Sequence, residues 1–198
     1  MKTIGLTGQT GAGKGSFCKI LDEYGIPCLD TDKTAREVVE KGTLCLKELC
    51  LHFGDGILYP DGTLDRKKLG SIAFSDKDEL SALNRITHKY ITEKVKEWIY
   101  SKRSEGCVAA VIDAPQLFES GEDKICDITV ALLADYDIRF SRITRRDGIS
   151  ADYARKRMAS QLDEEFFIAK CDHIIRNNGT EEELREKTVE FLKKENLI

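Results

Sequence analysis

The sequence predicts an α/β fold, a parallel five-stranded sheet flanked by helices, and three observations carry that expectation. The first is a short apolar run entering a glycine-rich turn, Ile4-Gly5-Leu6-Thr7-Gly8-Gln9-Thr10-Gly11-Ala12-Gly13-Lys14-Gly15-Ser16, with helix-compatible sequence directly behind it. The second is a pair of further apolar runs, Cys107 to Ile112 and Ile128 to Leu133. With Thr3 to Leu6 they have the unbroken apolar character of strands buried on both faces. The third is that a helical pattern follows each run, as a doubly wound sheet requires. Two weaker runs, Pro27 to Leu29 and His173 to Ile175, bring the strand count to five.

The first turn has the layout of a P-loop, in which backbone N–H groups and a lysine wrap the phosphates of a nucleotide. Glycines are needed there because side chains would hold the backbone away from the phosphate oxygens, and because some positions need unusual dihedrals. A helix opening near Gly13 to Phe17 points its positive end at the same anion. The expected ATP contacts in this turn are Gly8, Gly11, Ala12, Gly13, Lys14, Gly15 and Ser16. The strict motif places Ser or Thr directly after the lysine, where its hydroxyl reaches magnesium. Here that place is Gly15 and the hydroxyl comes at Ser16, an ending that resembles the loop of adenylate-kinase-type enzymes. The competing reading is a glycine-rich helix start with no ligand.

A length of 198 residues suits one compact α/β domain with insertions. Hydrophobic residues make up 41% and charged residues 33%, the balance of an ordinary globular protein. A net charge of −4 argues against a general nucleic-acid coat or a binder of anionic membranes. The seven cysteines are scattered and form no CxxC pair, so reduced, mostly buried thiols are expected. Only Met1-Lys2-Thr3 precedes the first strand, and no apolar stretch approaches the length of a membrane span. A cytoplasmic protein is the expectation.

The core is expected in residues 1–30, 104–134 and 171–198 of a single domain. Residues 31–103 are nearly all helical in character, broken at Gly42, Gly54 to Gly62 and Ser75-Asp76, and read as a helical insertion packed beside the strand-end rim of the sheet. Residues 135–170 form a second, strongly charged insertion with Arg139, Arg142, Arg145, Arg146, Arg155, Lys156 and Arg157, and read as a lid.

Asp30-Thr31-Asp32 follows the second strand and opens a helix. Ligands of parallel sheets gather at the carboxyl ends of strands. One of these aspartates can therefore take the proton of a hydroxyl that attacks a γ-phosphate, and Asp32 is the candidate. Asp30 or Thr31 also reads as an N-cap for the helix through Glu40. Asp113 ends the run Val108 to Ile112, well placed to hold magnesium through water or to cap the turn at Pro115. The arginines at 139 to 146 can neutralise charge on a transferred phosphoryl group. For Arg139 and Arg145 a solvated helix face is the expectation.

Ordered along the chain, these pieces resemble the dephospho-coenzyme A kinase family. After the loop come Leu29-Asp30-Thr31-Asp32, Ala35-Arg36-Glu37-Val38-Val39 and Phe53-Gly54. Asp61-Gly62-Thr63-Leu64-Asp65-Arg66 and Leu83-Asn84-Arg85-Ile86-Thr87-His88 follow. Asp113-Ala114-Pro115-Gln116-Leu117-Phe118-Glu119 is next, and Arg142, Arg146-Asp147, Gln161, Asp172, Asn177 and Gly179 finish the set. The resemblance implies a P-loop kinase fold and ATP-dependent phosphorylation of the ribose 3′-hydroxyl of dephospho-coenzyme A, the last step of coenzyme A biosynthesis, with Mg2+. It implies Asp32 as general base, Lys14 on the ATP phosphates and Arg142 reaching the phosphoryl group. It further implies Arg66, His88 and Pro115 as acceptor contacts, Ser16 and Asp113 at the metal, and Asn177 near the adenine. The chain departs from the family at Gly15, at Lys89 where proline is usual, at Gln116 where leucine is usual, and at Phe167 where a basic lid residue is common.

Two other readings compete. A nucleoside-monophosphate kinase of the adenylate-kinase type would suit Lys14-Gly15-Ser16, yet it phosphorylates an existing phosphate and has little use for a base at Asp32. A non-catalytic nucleotide-dependent switch of the GTPase kind would be expected to carry Asn-Lys-x-Asp, and the sequence has none.

Overall fold

The structure, a computed structural model, describes residues 1–198. Its five strands are β1 (Lys2–Gly8), β2 (Cys28–Asp30), β3 (Ala109–Asp113), β4 (Ile128–Leu133) and β5 (His173–Arg176). They form one sheet in the order β2-β3-β1-β4-β5, with β1 paired in parallel to both β3 and β4, and β4 to β5. The chain places β1 in the middle, leaves it for β2 and β3 on one side, then crosses to β4 and β5 on the other. The strand order thus reverses beside β1, and a crevice at the carboxyl ends is the geometric result.

The strands form where the apolar runs predict them, with shifted ends. β1 extends to Gly8 because Thr7 and Gly8 pair with Ala131 and Leu132. β3 starts only at Ala109, since Val108 is exposed and contributes just its carbonyl, to the Lys2 N–H at 3.0 Å. One expectation fails: no α-helix follows β3. Pro115 and Gly121 (φ 76°) break the segment, and only a 3-10 turn, Glu122–Ile125, precedes β4. That turn still covers the sheet, because Leu117 is fully buried and Phe118 meets Phe166 edge-on at 5.4 Å.

Nine α-helices complete the chain. They are α1 (Lys14–Glu23), α2 (Thr31–Glu37), α3 (Leu44–Phe53), α4 (Arg66–Ala73), α5 (Lys77–Ser104), α6 (Tyr136–Asp147), α7 (Ala151–Ala159), α8 (Glu164–Lys170) and α9 (Glu181–Lys194). They divide between two compact units, Met1–Leu29 with Ser101–Ile198, and Asp30–Tyr100. In the first unit, Phe17, Ile20 and Leu21 of α1 share one helical face and bury against Ile4, Val130 and Leu132 of the sheet and Phe191 and Leu192 of α9. The opposite face of the sheet buries Ala131 and Leu133 under Phe167. Phe167 is thus a core side chain, which explains an aromatic residue in a charged segment. The second unit has its own core of Val38, Val39, Cys45, Leu49, Ile57, Leu69 and Ile86.

All seven cysteines are free thiols, but only Cys45 is buried outright and the other six are half-buried. No helix is long and apolar enough to cross a membrane.

Candidate functional site

The turn between β1 and α1 is shaped by three glycines whose need is visible. Gly8 (φ 124°) lies against the Leu132 backbone, and a Cβ there would overlap the Leu132 carbonyl oxygen. A Cβ on Gly11 (φ 81°) would stand 2.8 Å from the Arg139 carbonyl oxygen. A Cβ on Gly13 (φ 102°) would overlap the Asn177 amide. Positive φ and close backbone approach together exclude other residues at these positions. Gly15 differs, since a Cβ there meets nothing within 4 Å.

Gly13 caps α1 without a side-chain hydrogen bond, and the first turn of α1 holds no acidic residue. The Ser16 and Phe17 N–H groups bond the Gly13 carbonyl, while those of Lys14 and Gly15 lack intrahelical acceptors and present positive charge at the strand end. Lys14 adds a full charge: it is half-buried and its Nζ folds back to the Gly8 carbonyl at 3.4 Å. The arrangement is an anion receptor made chiefly of backbone.

Three side chains from distant segments hold the outside of this turn. The Gln161 Oε1 accepts from the Thr10 N–H at 2.8 Å. The Asn177 Nδ2 donates to the Ala12 carbonyl at 2.8 Å, and Asn177 is buried. The Arg142 Nη1 donates to the Asn177 carbonyl at 2.8 Å and to the Gly11 carbonyl at 3.5 Å, while Nη2 reaches the Gly179 carbonyl at 3.4 Å. Partial burial lowers the Arg142 pKa from its ordinary value. Gly8, Gly11, Ala12, Gly13, Lys14, Arg142 and Asn177 are therefore brought together.

The same unit places Asp113 at the end of β3, opposite Leu6 of β1, and the Ala114 N–H bonds the Leu6 carbonyl at 2.9 Å. Thr7 Oγ1 donates to the Pro115 carbonyl at 3.4 Å. Cys18, one helical turn after Lys14, feels the charges of both Lys14 and Asp113. Its thiol pKa is pushed far up, first by a hydrogen bond with the Cys28 thiol and then by burial. Ser16 is exposed in the first turn of α1, with a hydroxyl that no protein group engages. No group of three or more His, Cys, Asp or Glu side chains is arranged to hold a metal ion by itself. Such a donor set fits magnesium carried in on nucleotide phosphates, which takes only one or two protein ligands.

Arg139 corrects the expectation of a solvated face. It is buried, one turn before buried Ile143 on the inner side of α6, and its Nε donates to the Ala134 carbonyl at 2.9 Å. Desolvation lowers its pKa, and Nη1 has no hydrogen-bond partner. The 139/143 spacing was the available signal for this burial. Arg145 is exposed as expected. Gln161 entered the sequence reading only as part of a resemblance; a polar residue between two helices carries no motif that reveals its bond to Thr10.

The second unit holds Asp32, Arg66 and His88. Asp30 caps α2, its Oδ1 accepting from the Lys33 N–H at 3.1 Å. Asp32, in the first turn of α2, is exposed and its carboxylate makes no hydrogen bond or ion pair. Arg66 opens α4 and its Nη2 donates to the Arg36 carbonyl at 3.2 Å, so it touches the helix that carries Asp32. His88 lies on α5, half-buried and without a hydrogen bond, and burial lowers its pKa. Lys89 has a structural occupation, an ion pair with Glu48 at 3.0 Å.

Comparison with known proteins agrees with this architecture. The family model for dephospho-CoA kinase (CoaE) matches residues 2–183. Among curated proteins, the dephospho-CoA kinase of Fusobacterium nucleatum is 39% identical over 188 residues, covering 95% of each chain. That of Corynebacterium glutamicum is 38% identical over 184 residues, covering 93% of this chain and 92% of its own. Among solved structures, dephospho-CoA kinase from Campylobacter jejuni superposes with a TM-score of 0.72 at 27% identity, covering 97% of this chain and 96% of its own. A shikimate kinase from Acinetobacter baumannii, 14% identical with a TM-score of 0.56, shares the fold. With an uncapped, lysine-bearing turn at the switch of a five-stranded parallel sheet and a family match along almost the whole sequence, the chain is a phosphotransferase and belongs to the dephospho-CoA kinase family.

Proposed function

We propose that this protein transfers the γ-phosphoryl group of ATP to the 3′-hydroxyl of dephospho-coenzyme A, giving coenzyme A and ADP as the last step of coenzyme A biosynthesis. The observation that carries the reading is the uncapped turn Gly8–Ser16 in a chain matched by the family model over residues 2–183. ATP phosphates lie against the N–H groups of Gly13, Lys14 and Gly15, with Gly8 and Gly11 allowing the close approach and the Lys14 ammonium compensating their charge. Magnesium, when bound with the nucleotide, would be held by the Ser16 hydroxyl and through water by Asp113, and it supplies further charge neutralisation. Asp32 accepts the proton of the 3′-hydroxyl as that oxygen bonds to phosphorus and the bond to ADP breaks.

The division of labour at the start of α2 supports this role. Asp30 already satisfies the cap, so Asp32 is left with an unengaged carboxylate. Arg66, His88 and Pro115 contact the acceptor, His88 as a neutral hydrogen-bonding group. Arg142 stabilises the phosphoryl region from the α6 side, and Asn177 sets the edge of the adenine site through the turn it braces. The segment 135–170 closes as a lid that keeps water from the γ-phosphate. Within it α7 packs on α6 through Ala154, Met158 and Ile143, with Phe140 and Ile149 beside them, and Gly148 (φ 61°) ends α6.

The test is incubation with magnesium and ATP in two arms, dephospho-coenzyme A and AMP as acceptors, with ADP and products separated by chromatography. Coenzyme A formed in step with ADP is the expected result. Phosphorylation of AMP alone would make the chain a nucleoside-monophosphate kinase, and nucleotide-dependent partner capture without turnover would make it a switch.

A further inference from the structure

Gln9 and Thr10 begin the turn after β1, and both are buried. Gln161 and Leu162 occupy the break between α7 and α8. The two dipeptides exchange hydrogen bonds: the Thr10 N–H donates to Gln161 Oε1 at 2.8 Å, and Gln9 Nε2 donates to the Leu162 carbonyl at 3.4 Å. A buried backbone N–H has to find an acceptor. At Thr10 the turn itself supplies none, and a side chain 151 residues away does.

Three consecutive residues of the turn are held this way from outside. The Thr10 N–H goes to Gln161, the Gly11 carbonyl to Arg142 and the Ala12 carbonyl to Asn177. Each bond draws its backbone group away from the inner surface of the turn. The N–H groups that remain for an anion are those of the next residues, and their direction depends on these three anchors. Of the anchors, Gln161 alone comes from the junction between α7 and α8.

We propose that Gln161 is a positioning residue for phosphoryl transfer, which fixes the shape of the turn Gln9–Ala12 through the Thr10 N–H and couples that shape to the placement of the α7–α8 segment. The proposal rests on the reading of this turn as the ATP site. The bond is neutral and short, so it positions without adding charge beside the phosphates. A phosphate cradle of backbone dipoles loses effect steeply with small displacements. Loss of the acceptor therefore weakens ATP binding and slows transfer, and leaves the acceptor substrate's own contacts intact.

The test uses Gln161→Met, which keeps length and volume and removes the oxygen acceptor. Steady-state kinetics against each substrate, ATP calorimetry and thermal melting are measured on parent and variant. The expected result is a KM for ATP raised about tenfold and a kcat lowered about tenfold, as for loss of one buried hydrogen bond at the reacting turn. The KM for dephospho-coenzyme A is expected within about twofold of the parent. Parent values for kcat and for both KM terms overturn the proposal, as does an equal rise of both KM values. If the variant does not fold, amide exchange in the parent decides: ATP is expected to slow exchange at Thr10 about tenfold, and unchanged exchange overturns the coupling. If the parent transfers nothing to dephospho-coenzyme A, the proposed activity fails by itself. Gln161 is then judged by calorimetry, where an unchanged Kd for ATP overturns it.

Discussion

Asp30 and Asp32 stand two residues apart on the same turn, and hydrogen bonding separates them. Asp30 accepts the Lys33 N–H, so Asp30→Ala should cost about 1 kcal/mol of stability in a denaturant titration and leave the chemistry alone. Asp32→Asn should lower kcat by about 100-fold or more with ATP affinity within a few-fold of the parent, because only a general base is lost. Near-parent turnover would show that Asp32 takes no proton, and Lys14→Ala serves as the contrast by weakening binding and turnover together. Asp172 is a structural counterpart. Its Oδ2 accepts from both the N–H and the hydroxyl of Thr129, at 2.8 and 2.7 Å, and these bonds hold its pKa below the ordinary carboxylate value. A depressed folded-state pKa gives stability that is fully present above the unfolded value, near pH 3.8, and is lost as pH falls through the folded value. Asp172→Asn should therefore flatten the acid limb of a stability-against-pH curve; an unchanged limb would remove the carboxylate from the account. Asp30-Thr31-Asp32 reads from sequence as a helix start capped by Asp30 or Thr31, and α2 beginning at Thr31 decides for Asp30.

Helices and turns show where local sequence suffices and where neighbours intervene. The breaks at Gly42, Gly54 to Gly62 and Ser75-Asp76 fall between α2, α3, α4 and α5, because positive φ at Gly42, Gly54 and Gly62 and the caps Thr43 and Asp65 are local effects. The apolar residues after β3 resemble a helix pattern, yet Pro115, Gly121 and the short span to β4 leave room for one 3-10 turn. Over Gly8–Ser16 the sequence shows four glycines and the structure sorts them. Gly13→Ala should abolish ATP binding, since the new methyl overlaps the Asn177 amide that holds Ala12. Gly15→Ala should instead stabilise α1 by about 0.5–1 kcal/mol with ATP affinity retained, as a Cβ there meets nothing. Calorimetry on both variants checks the contrast, and equal losses would mean that crowding does not distinguish the two positions. Arg139 belongs here too: its charge suggests solvent, but it lies with Ile143 on the face of α6 that Gly11 packs against, so its stem is buried.

For the whole molecule, the two units have separate cores, so damage to one need not spread at first. Leu49 is fully buried in the second unit. Leu49→Ala should cost about 2–5 kcal/mol, and amide exchange should accelerate in Asp30–Tyr100 before it does in β1, β3 and β4. Uniform acceleration would show a single cooperative unit. The sequence by itself determined the fold class, the five strands, the glycine-rich turn and the family. Each of these rests on local patterns: apolar runs, glycines at fixed spacing and ordered short motifs. Tertiary structure alone decided that Asn177, Arg142 and Gln161 hold the outside of that turn and that Arg139 and Phe167 are buried. The three anchors depend on hydrogen bonds between segments more than a hundred residues apart, and no local pattern records which polar group will meet which.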